Sequence, residues 1–394
     1  MNQNLSVTPT PESPTHEKQN ITKSHLSVRL VILSLELLLA IPLGLVLVQL
    51  HVGGIAWIFG GLASGAVVLQ GCRILYKYYP QPNRNARKVG MALVGLTVGA
   101  SSSNSDLTSL ASGIPIFIFL TLFMLLCGSC IGYLYSRLSQ TNLLTSMLAT
   151  VPGGVGVMSS IAADYNRNVT LVALVQAIRV TTVVLLIPLI ARTSVDPVLS
   201  PQTLPVNVKL QSFDPSQLGL LFLALVITTL VVYLAGLCKM PAAEFFGALI
   251  VGLGFNYLLD WLPVLNDVNF TPPAFIKLLG QLLLGITIGE YWGDKPNIGK
   301  RAVGYAFMSV ALTLVAGAIA AMLAMQLTSW DWLTCLLVTA PGGAAEMILV
   351  SLALNHNVEI VTTGHLVRLI AINSSLPLWI FLFRRLDQQL SESV

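Results

Sequence analysis

A segment of about forty residues occurs twice in this chain and decides its fold class. Residues 150–180 read TVPGGVGVMSSIAADYNRNVTLVALVQAIRV, and residues 339–369 read TAPGGAAEMILVSLALNHNVEIVTTGHLVRL. At a constant offset of 189 positions, 15 of the 46 pairs that begin at Leu144 and end at Leu189 are identical. They include Pro-Gly-Gly, two asparagines and an arginine, which a shared apolar composition would not align. The chain is therefore predicted to be an internal duplication.

The composition predicts that the duplicated segment belongs to a membrane protein. The chain is 55% hydrophobic and 10% charged, whereas soluble domains carry roughly 25% charged residues. Apolar stretches of about 20 residues recur between Ser27 and Phe383, which is typical of an all-α polytopic membrane protein in the lipid bilayer. A transmembrane barrel would show short alternating strands instead. Residues 1–26 are polar and predict a disordered tail.

Each copy of Pro-Gly-Gly interrupts an apolar stretch at its centre. Proline removes a hydrogen-bond donor and clashes with the preceding turn, and two glycines add backbone freedom. Pro152 and Pro341 are therefore predicted helix breaks. The arms on either side have about 11 residues, or about 16 Å of helix, which is half of the hydrocarbon thickness. Such a segment is either a kinked full span or a re-entrant hairpin that returns to its own side.

The basic residues favour two hairpins, because short cytoplasmic loops are enriched in Lys and Arg. With hairpins, the loop at 73–88, Lys239 and the cluster at 295–301 all lie in the cytoplasm. With full spans, Lys239 and that cluster would lie outside. The hairpin arrangement gives a multi-pass protein of the inner (plasma) membrane with both termini in the cytoplasm.

Hairpins leave about five transmembrane helices in each half, and an odd number inverts the second half relative to the first. The expected organisation is two inverted repeats, each with one Pro-Gly-Gly broken or re-entrant helix. The predicted boundaries are a cytoplasmic tail at 1–26, repeat 1 at 27–192, a linker at 193–216, repeat 2 at 217–386 and a C-terminal tail at 387–394.

A second pair of motifs also recurs between the halves. The sequence GLTVG at 95–99 corresponds to GITIG at 285–289. Glycines four positions apart let two helix backbones approach closely. The motif predicts helix packing, and helices that slide during transport are the functional alternative.

Two arginines fall near mid-depth of the helices that follow the breaks. A buried charge there needs a partner or water, so it marks a binding site or a cavity. One interpretation is that each arginine bonds carbonyls freed by the break, and the other is that both face an anionic substrate. Helices that begin after the breaks also point positive dipole ends at an enclosed site. The predicted substrate-binding residues are Arg179, Arg368, Gly153, Gly154, Gly342 and Gly343.

Only the second copy is rich in titratable groups. Glu346, Glu359 and His365 stand where the first copy has Val157, Thr170 and Gln176. A carboxylate near a histidine at mid-depth is a candidate coupling site for Na⁺ or H⁺, and a Glu346–Arg368 ion pair is the alternative. No other cofactor and no bound metal are expected.

At these residues the chain resembles the AbrB-type membrane-protein family, whose members carry this duplicated module. The resemblance covers about residues 30–385. It implies a transporter or a regulator of gene expression, and the label ammonia monooxygenase is also applied to such proteins. The predicted plan is similar to that of carriers with crossed broken helices, which is an analogy of fold alone.

The leading interpretation is an ion-coupled secondary transporter of a small anionic or amphoteric solute, and not an enzyme. A membrane sensor that acts through a partner is the alternative. An oxygenase is the least supported, because only five histidines are present and two lie in the polar tail. The chain has no phosphate loop and no basic recognition helix, so neither ATP hydrolysis nor nucleic-acid binding is expected. A homo-oligomer is compatible with the sequence.

Overall fold

The computed structural model describes residues 14–50, 52–78, 80–103, 113–194, 215–238, 240, 242–261, 270–292 and 300–392. Within these ranges all regular structure is helical, which confirms the predicted all-α class. Most of the linker predicted at 193–216 lies outside the described residues. The helices are α1 Pro14–Gln49, α2 Ala56–Tyr76, α3 Arg84–Ser101, α4 Ile114–Ser139, α5 Leu143–Thr150, α6 Val155–Asp164, α7 Val169–Ser194, α8 Pro215–Leu237, α9 Ala243–Asp260, α10 Ala274–Glu290, α11 Lys300–Leu327, α12 Trp332–Thr339, α13 Ala344–Leu354 and α14 Val358–Glu392, with a 3₁₀ turn at Gly53–Ile55 before α2.

Eight of the described helices are long and apolar enough to cross a membrane. They are α1, α2, α4, α7, α8, α9, α11 and α14. Helix α3 falls outside this set because its first turns carry Arg84, Arg87 and Lys88, and α10 because it has only 17 residues. Helix α1 already begins at Pro14, within the range that the sequence assigns to the tail.

The helices pack as two groups. The glycine bundle consists of α1, α2, α3, α8, α9 and α10, and in it α3 packs on α9 and α2 on α10. The Pro-Gly-Gly bundle consists of α4 to α7 and α11 to α14. Each bundle draws helices from both halves of the sequence, so neither half is a separate structural unit.

The recurring glycines lie where helices of the glycine bundle cross. A Cβ on Gly99 would be 2.2 Å from the carbonyl oxygen of Leu249, and one on Gly289 would be 2.2 Å from that of Leu62. Because carbon atoms do not approach backbone oxygen so closely, only glycine allows these crossings. The predicted packing role of the motif is therefore confirmed.

Candidate functional site

The first Pro-Gly-Gly segment, residues 143–164, consists of α5 and α6 joined by residues 151–154. Helix α5 begins after Asn142, whose side chain accepts hydrogen bonds from two backbone N–H groups of the first turn. Pro152 has no N–H to donate to the carbonyl of Leu148, four residues earlier. The side-chain amide of Gln176 on α7 donates instead, over 2.8 Å to that carbonyl and 3.0 Å to the carbonyl of Val151.

The second Pro-Gly-Gly segment, residues 332–354, repeats this arrangement with α12 and α13. Pro341 leaves the carbonyl of Leu337 without its helical donor. His365 Nε2 lies 3.0 Å from that oxygen, and because a carbonyl only accepts, this nitrogen carries the hydrogen. His365 is the counterpart of Gln176, so the two residues perform the same backbone contact in their respective halves. The other ring nitrogen, Nδ1, is buried and has no hydrogen-bond partner among the described residues.

Both arginines donate to backbone carbonyls at the breaks. Arg179 donates over 2.9 Å to the carbonyl of Thr150 and over 2.5 Å to the side-chain oxygen of Gln176. Arg368 donates over 2.7 Å to the carbonyl of Ala340 and over 3.0 Å to that of Gly342. The contacts predicted for a structural role are therefore present in both halves.

These hydrogen bonds do not neutralise the two positive charges. Arg179 is 1% exposed and Arg368 is 5% exposed, and they lie close enough for their charges to repel each other. Among the described residues, neither guanidinium has an ion-pair partner. A small cavity lies beside Arg368 and is lined by Phe117, Leu120, Thr121, Met124, Val338 and Gly364.

The glycines of the breaks have different surroundings. Gly154 has a φ of +83°, a conformation that suits glycine, and open space where a side chain would be. Gly343 immediately precedes α13, and a Cβ there would meet the Glu346 carboxylate. Glu346 lies in the first turn of α13, where its negative charge complements the helix dipole. Helix α6 has no acidic residue in its first turn, so its N-terminus is the more open of the two.

Glu346 forms its ion pair with Arg87 and not with Arg368. One of its carboxylate oxygens lies 2.7 Å from Arg87 Nη2, and Arg87 Nη1 donates over 2.6 Å to the hydroxyl of Tyr291. This corrects the alternative in which Glu346 and Arg368 pair. The contact ties the second Pro-Gly-Gly segment to the glycine bundle, because Arg87 lies on α3.

Arg87 is a site residue that the sequence interpretation missed, since the loop at 73–88 was explained as an orientation signal. Alignment of the two glycine motifs contains a usable signal. Their offset of 190 positions sets Arg87 opposite Lys277, whose ammonium donates over 3.3 Å to the carbonyl of Leu352 at the far end of α13. Two basic residues at equivalent positions of apolar helices thus both contact the second Pro-Gly-Gly segment.

Glu359 lies apart from the two arginines. It is half-buried in the first turn of α14, nine residues before Arg368, or about 14 Å along the helix. The structure therefore brings together the two arginines, the two breaks and His365, and leaves Glu359 at the other end of the second segment.

A polar cluster around Asp331 lies at the end of the second segment that is far from the break, next to the start of α12. Its carboxylate caps α12 and lies 2.8 Å from His356 Nε2. Partial burial acts to raise the pKa of Asp331, but the hydrogen bonds from Thr334 and His356 lower it overall. The cap is therefore charged at neutral pH.

Comparison with known proteins tests the family resemblance of this sequence. The family model described as "AbrB: Transition state regulatory protein AbrB" matches residues 57–384, which is most of the chain. The chain belongs to the AbrB family. "Uncharacterized protein YhjN" of Bacillus subtilis (strain 168) is 28% identical over 320 residues, covering 75% of this chain and 78% of that protein. "Putative regulator AbrB" of Escherichia coli (strain K12) is 26% identical over 301 residues, covering 73% and 80%. The match of this AbrB-family chain extends over both breaks and both arginines.

Proposed function

We propose that this AbrB-family protein is a secondary transporter of a small anionic or amphoteric solute, with alternating access around the two Pro-Gly-Gly segments. One observation carries the proposal. Arg179 and Arg368 are buried, repel each other, and have no carboxylate partner in the described part of the chain.

A charge at mid-depth of a membrane costs several kcal/mol unless it is paired or hydrated. Two neighbouring cations add their mutual repulsion to this cost, and hydrogen bonds to neutral carbonyls offset only part of it. An anion bound between them would supply the missing negative charge. The arginines thus have two functions, to hold the tips of the segments and to attract an anionic group.

We also propose that the two segments are re-entrant hairpins that enter from opposite faces. Helix α14 supplies the supporting geometry. Near its start, Asn357 donates to Asp331 at the base of the second segment, and near its end Asp387 accepts over 2.5 Å from Asn142 at the base of the first. Thirty residues of helix separate Asn357 from Asp387, or about 45 Å, which exceeds the hydrocarbon thickness. This length supports the proposal that the two bases lie on opposite sides of the membrane, the arrangement expected of inverted repeats.

Reciprocal contacts support the same symmetry. Thr150 donates over 3.0 Å to the carbonyl of Gly128, and its counterpart Thr339 donates over 3.0 Å to that of Gly317, 189 positions later in both cases. The crossing of α3 on α9 likewise corresponds to that of α10 on α2. Such matched pairs are expected from two copies of one fold related by a pseudo-two-fold axis.

Coupling to Na⁺ or H⁺ is part of the proposal. Glu346 connects the second segment to Arg87 of the other bundle, so neutralisation of this carboxylate would loosen the contact between the bundles. Its first-copy counterpart, Val157, cannot do this. The asymmetry favours the second segment as the one whose movement responds to a cation.

The proposal is tested with purified protein and a panel of organic acids, amino acids and inorganic anions. A thermal-shift screen identifies a stabilising anion, and its labelled form is then followed into sealed vesicles. We expect Arg368→Gln to reduce anion binding at least tenfold, whereas Arg137→Gln, on an exposed arginine that contacts Tyr133, should bind normally. Unchanged binding in Arg368→Gln and Arg179→Gln would contradict the anion site.

A regulatory function is the second candidate, favoured by the description of the family and by the name of the Escherichia coli relative. A membrane sensor would use the same anion site but keep the solute on one side. Saturable binding without accumulation in sealed vesicles would favour this function over transport.

A further inference from the structure

A second pair of buried ionisable groups lies in the glycine bundle, away from the Pro-Gly-Gly segments. Glu36 is in α1 and is 0% exposed, and Glu290 is the last residue of α10 and is 2% exposed. The two carboxyl groups are close enough for their charges to repel each other. Nothing in the anion site or in the coupling hypothesis uses either residue.

The surroundings of the two acids differ. One oxygen of Glu290 accepts a hydrogen bond of 2.7 Å from the backbone N–H of Asn83, and the charge of Arg29 on α1 acts on the same carboxylate. Neither oxygen of Glu36 has a hydrogen-bond partner among the described residues. The hydroxyl of Ser64 on α2 bonds the backbone carbonyl of Glu36 rather than its side chain.

This difference assigns the charge within the pair. A carboxylate is favoured by a nearby cation and by N–H donors, and it is disfavoured by burial without partners and by a neighbouring negative charge. Glu290 has the favourable contacts, and Glu36 has only the unfavourable ones.

We propose that Glu36 and Glu290 form a proton-binding site in which Glu36 holds the proton. A sodium site would need several oxygen ligands, whereas both carboxyl oxygens of Glu36 lack a polar partner among the described residues. One turn earlier in α1, Ile32 packs with Val68 and Leu69 of α2. The charge of Glu36 acts in turn on the thiol of Cys72, also on α2. The apolar surroundings fit a neutral carboxylic acid.

The site has a direct connection to the second Pro-Gly-Gly segment. Glu290 precedes Tyr291, whose hydroxyl accepts from Arg87, and Arg87 binds Glu346. Trp292, the next residue, donates over 3.0 Å to Thr181 of α7. The end of α10 thus contacts both bundles. Release of the proton from Glu36 would place a second negative charge beside Glu290 and would therefore affect the contacts of Tyr291 and Trp292. This connection rests on the proposed transport function, whereas the proton site itself does not.

Infrared difference spectroscopy of the purified protein in lipid tests the site without any substrate. At neutral pH we expect a carbonyl band of a protonated carboxylic acid that shifts in D₂O and is absent from Glu36→Gln. The matched control is Glu244→Gln, because Glu244 lies in the same bundle but is paired with Lys88, and it should keep the band. A band that persists in Glu36→Gln, or that disappears when Na⁺ is added at constant pH, would overturn the proposal.

A measurement on the natural chain covers the case in which Glu36→Gln does not fold. Dicyclohexylcarbodiimide reacts with protonated carboxyl groups in apolar surroundings, and mass spectrometry locates the adduct. We expect labelling at Glu36 at neutral pH, at a rate that falls at least tenfold as the pH is raised through the titration of the site. Absence of an adduct at Glu36 while other acids are labelled would contradict the proposed proton.

Discussion

The ion pair between Arg87 and Glu346 gives the sharpest stability prediction, because its two partners differ in burial. The side chain of Glu346 is 3% exposed and that of Arg87 is 25% exposed, with 2.7 Å between the charged atoms. Arg87→Gln leaves a carboxylate buried without its cation, which costs about 3–5 kcal/mol for a fully buried group. Glu346→Gln leaves an arginine that is less buried and that still donates to Tyr291, so its expected cost is about 1–2 kcal/mol.

The two substitutions are expected to be non-additive. The double variant should be more stable than the sum of the single costs predicts, with a coupling energy of about 1–3 kcal/mol.

Equilibrium unfolding in mixed micelles measures these energies, and the chain supplies its own control. Lys88 and Glu244 form a pair of 3.0 Å in the same bundle, with side chains that are 59% and 20% exposed. Such a partly exposed pair should have a coupling energy below about 1 kcal/mol. A coupling energy for Arg87 and Glu346 that does not exceed the control, or equal costs of the two single substitutions, would contradict a buried ion pair between them.

Three further predictions concern the local structure and use the same unfolding assay. His365→Gln should be tolerated because glutamine makes the same contact in the first copy. His365→Leu leaves the carbonyl of Leu337 without a donor and should cost about 1–3 kcal/mol. Equal effects of the two substitutions on stability would contradict the shared function of Gln176 and His365. Gly99→Ala should destabilise the protein because it prevents close packing of α3 on α9. The control is Gly304→Ala, which should be neutral or slightly stabilising because Gly304 has open space for a Cβ. A neutral Gly99→Ala would count against the close crossing of α3 and α9. Asp331→Ala should cost about 1 kcal/mol because α12 loses its helix cap. Because the pKa of Asp331 is lowered, this difference from the natural chain should vanish as the pH falls below the ordinary value of 3.8. A loss of stability that is the same at all pH values would exclude the charged cap.

The sequence predicted the helices well because each carried its own signal. Apolar stretches of membrane length end at polar residues, and Pro152 and Pro341 lie within residues 151–154 and 340–343, where the helical pattern stops. The recurrence of Arg179 and Arg368 also indicated correctly which side chains would reach the breaks. These features depend on residues close in sequence, or on a repeat that is visible by comparison of the chain with itself.

The partners of the acidic residues were not predictable in the same way. Glu346 pairs with a residue 259 positions earlier. The offset between the glycine motifs sets Arg87 opposite Lys277, but it does not indicate which acid Arg87 contacts. The proximity of Glu36 to Glu290 likewise arises only when α1 and α10 pack together. Contacts between helices of the two halves require the three-dimensional arrangement.

The transport function requires that an anion cross the membrane through the site of the two arginines. The decisive measurement is uptake of a labelled stabilising anion into sealed vesicles that contain the natural chain, Arg368→Gln or Arg137→Gln. We predict saturable accumulation with the natural chain and with Arg137→Gln, and at least a tenfold lower rate with Arg368→Gln. Accumulation that is unchanged in Arg368→Gln, or binding by the natural chain without any accumulation, would contradict the central claim.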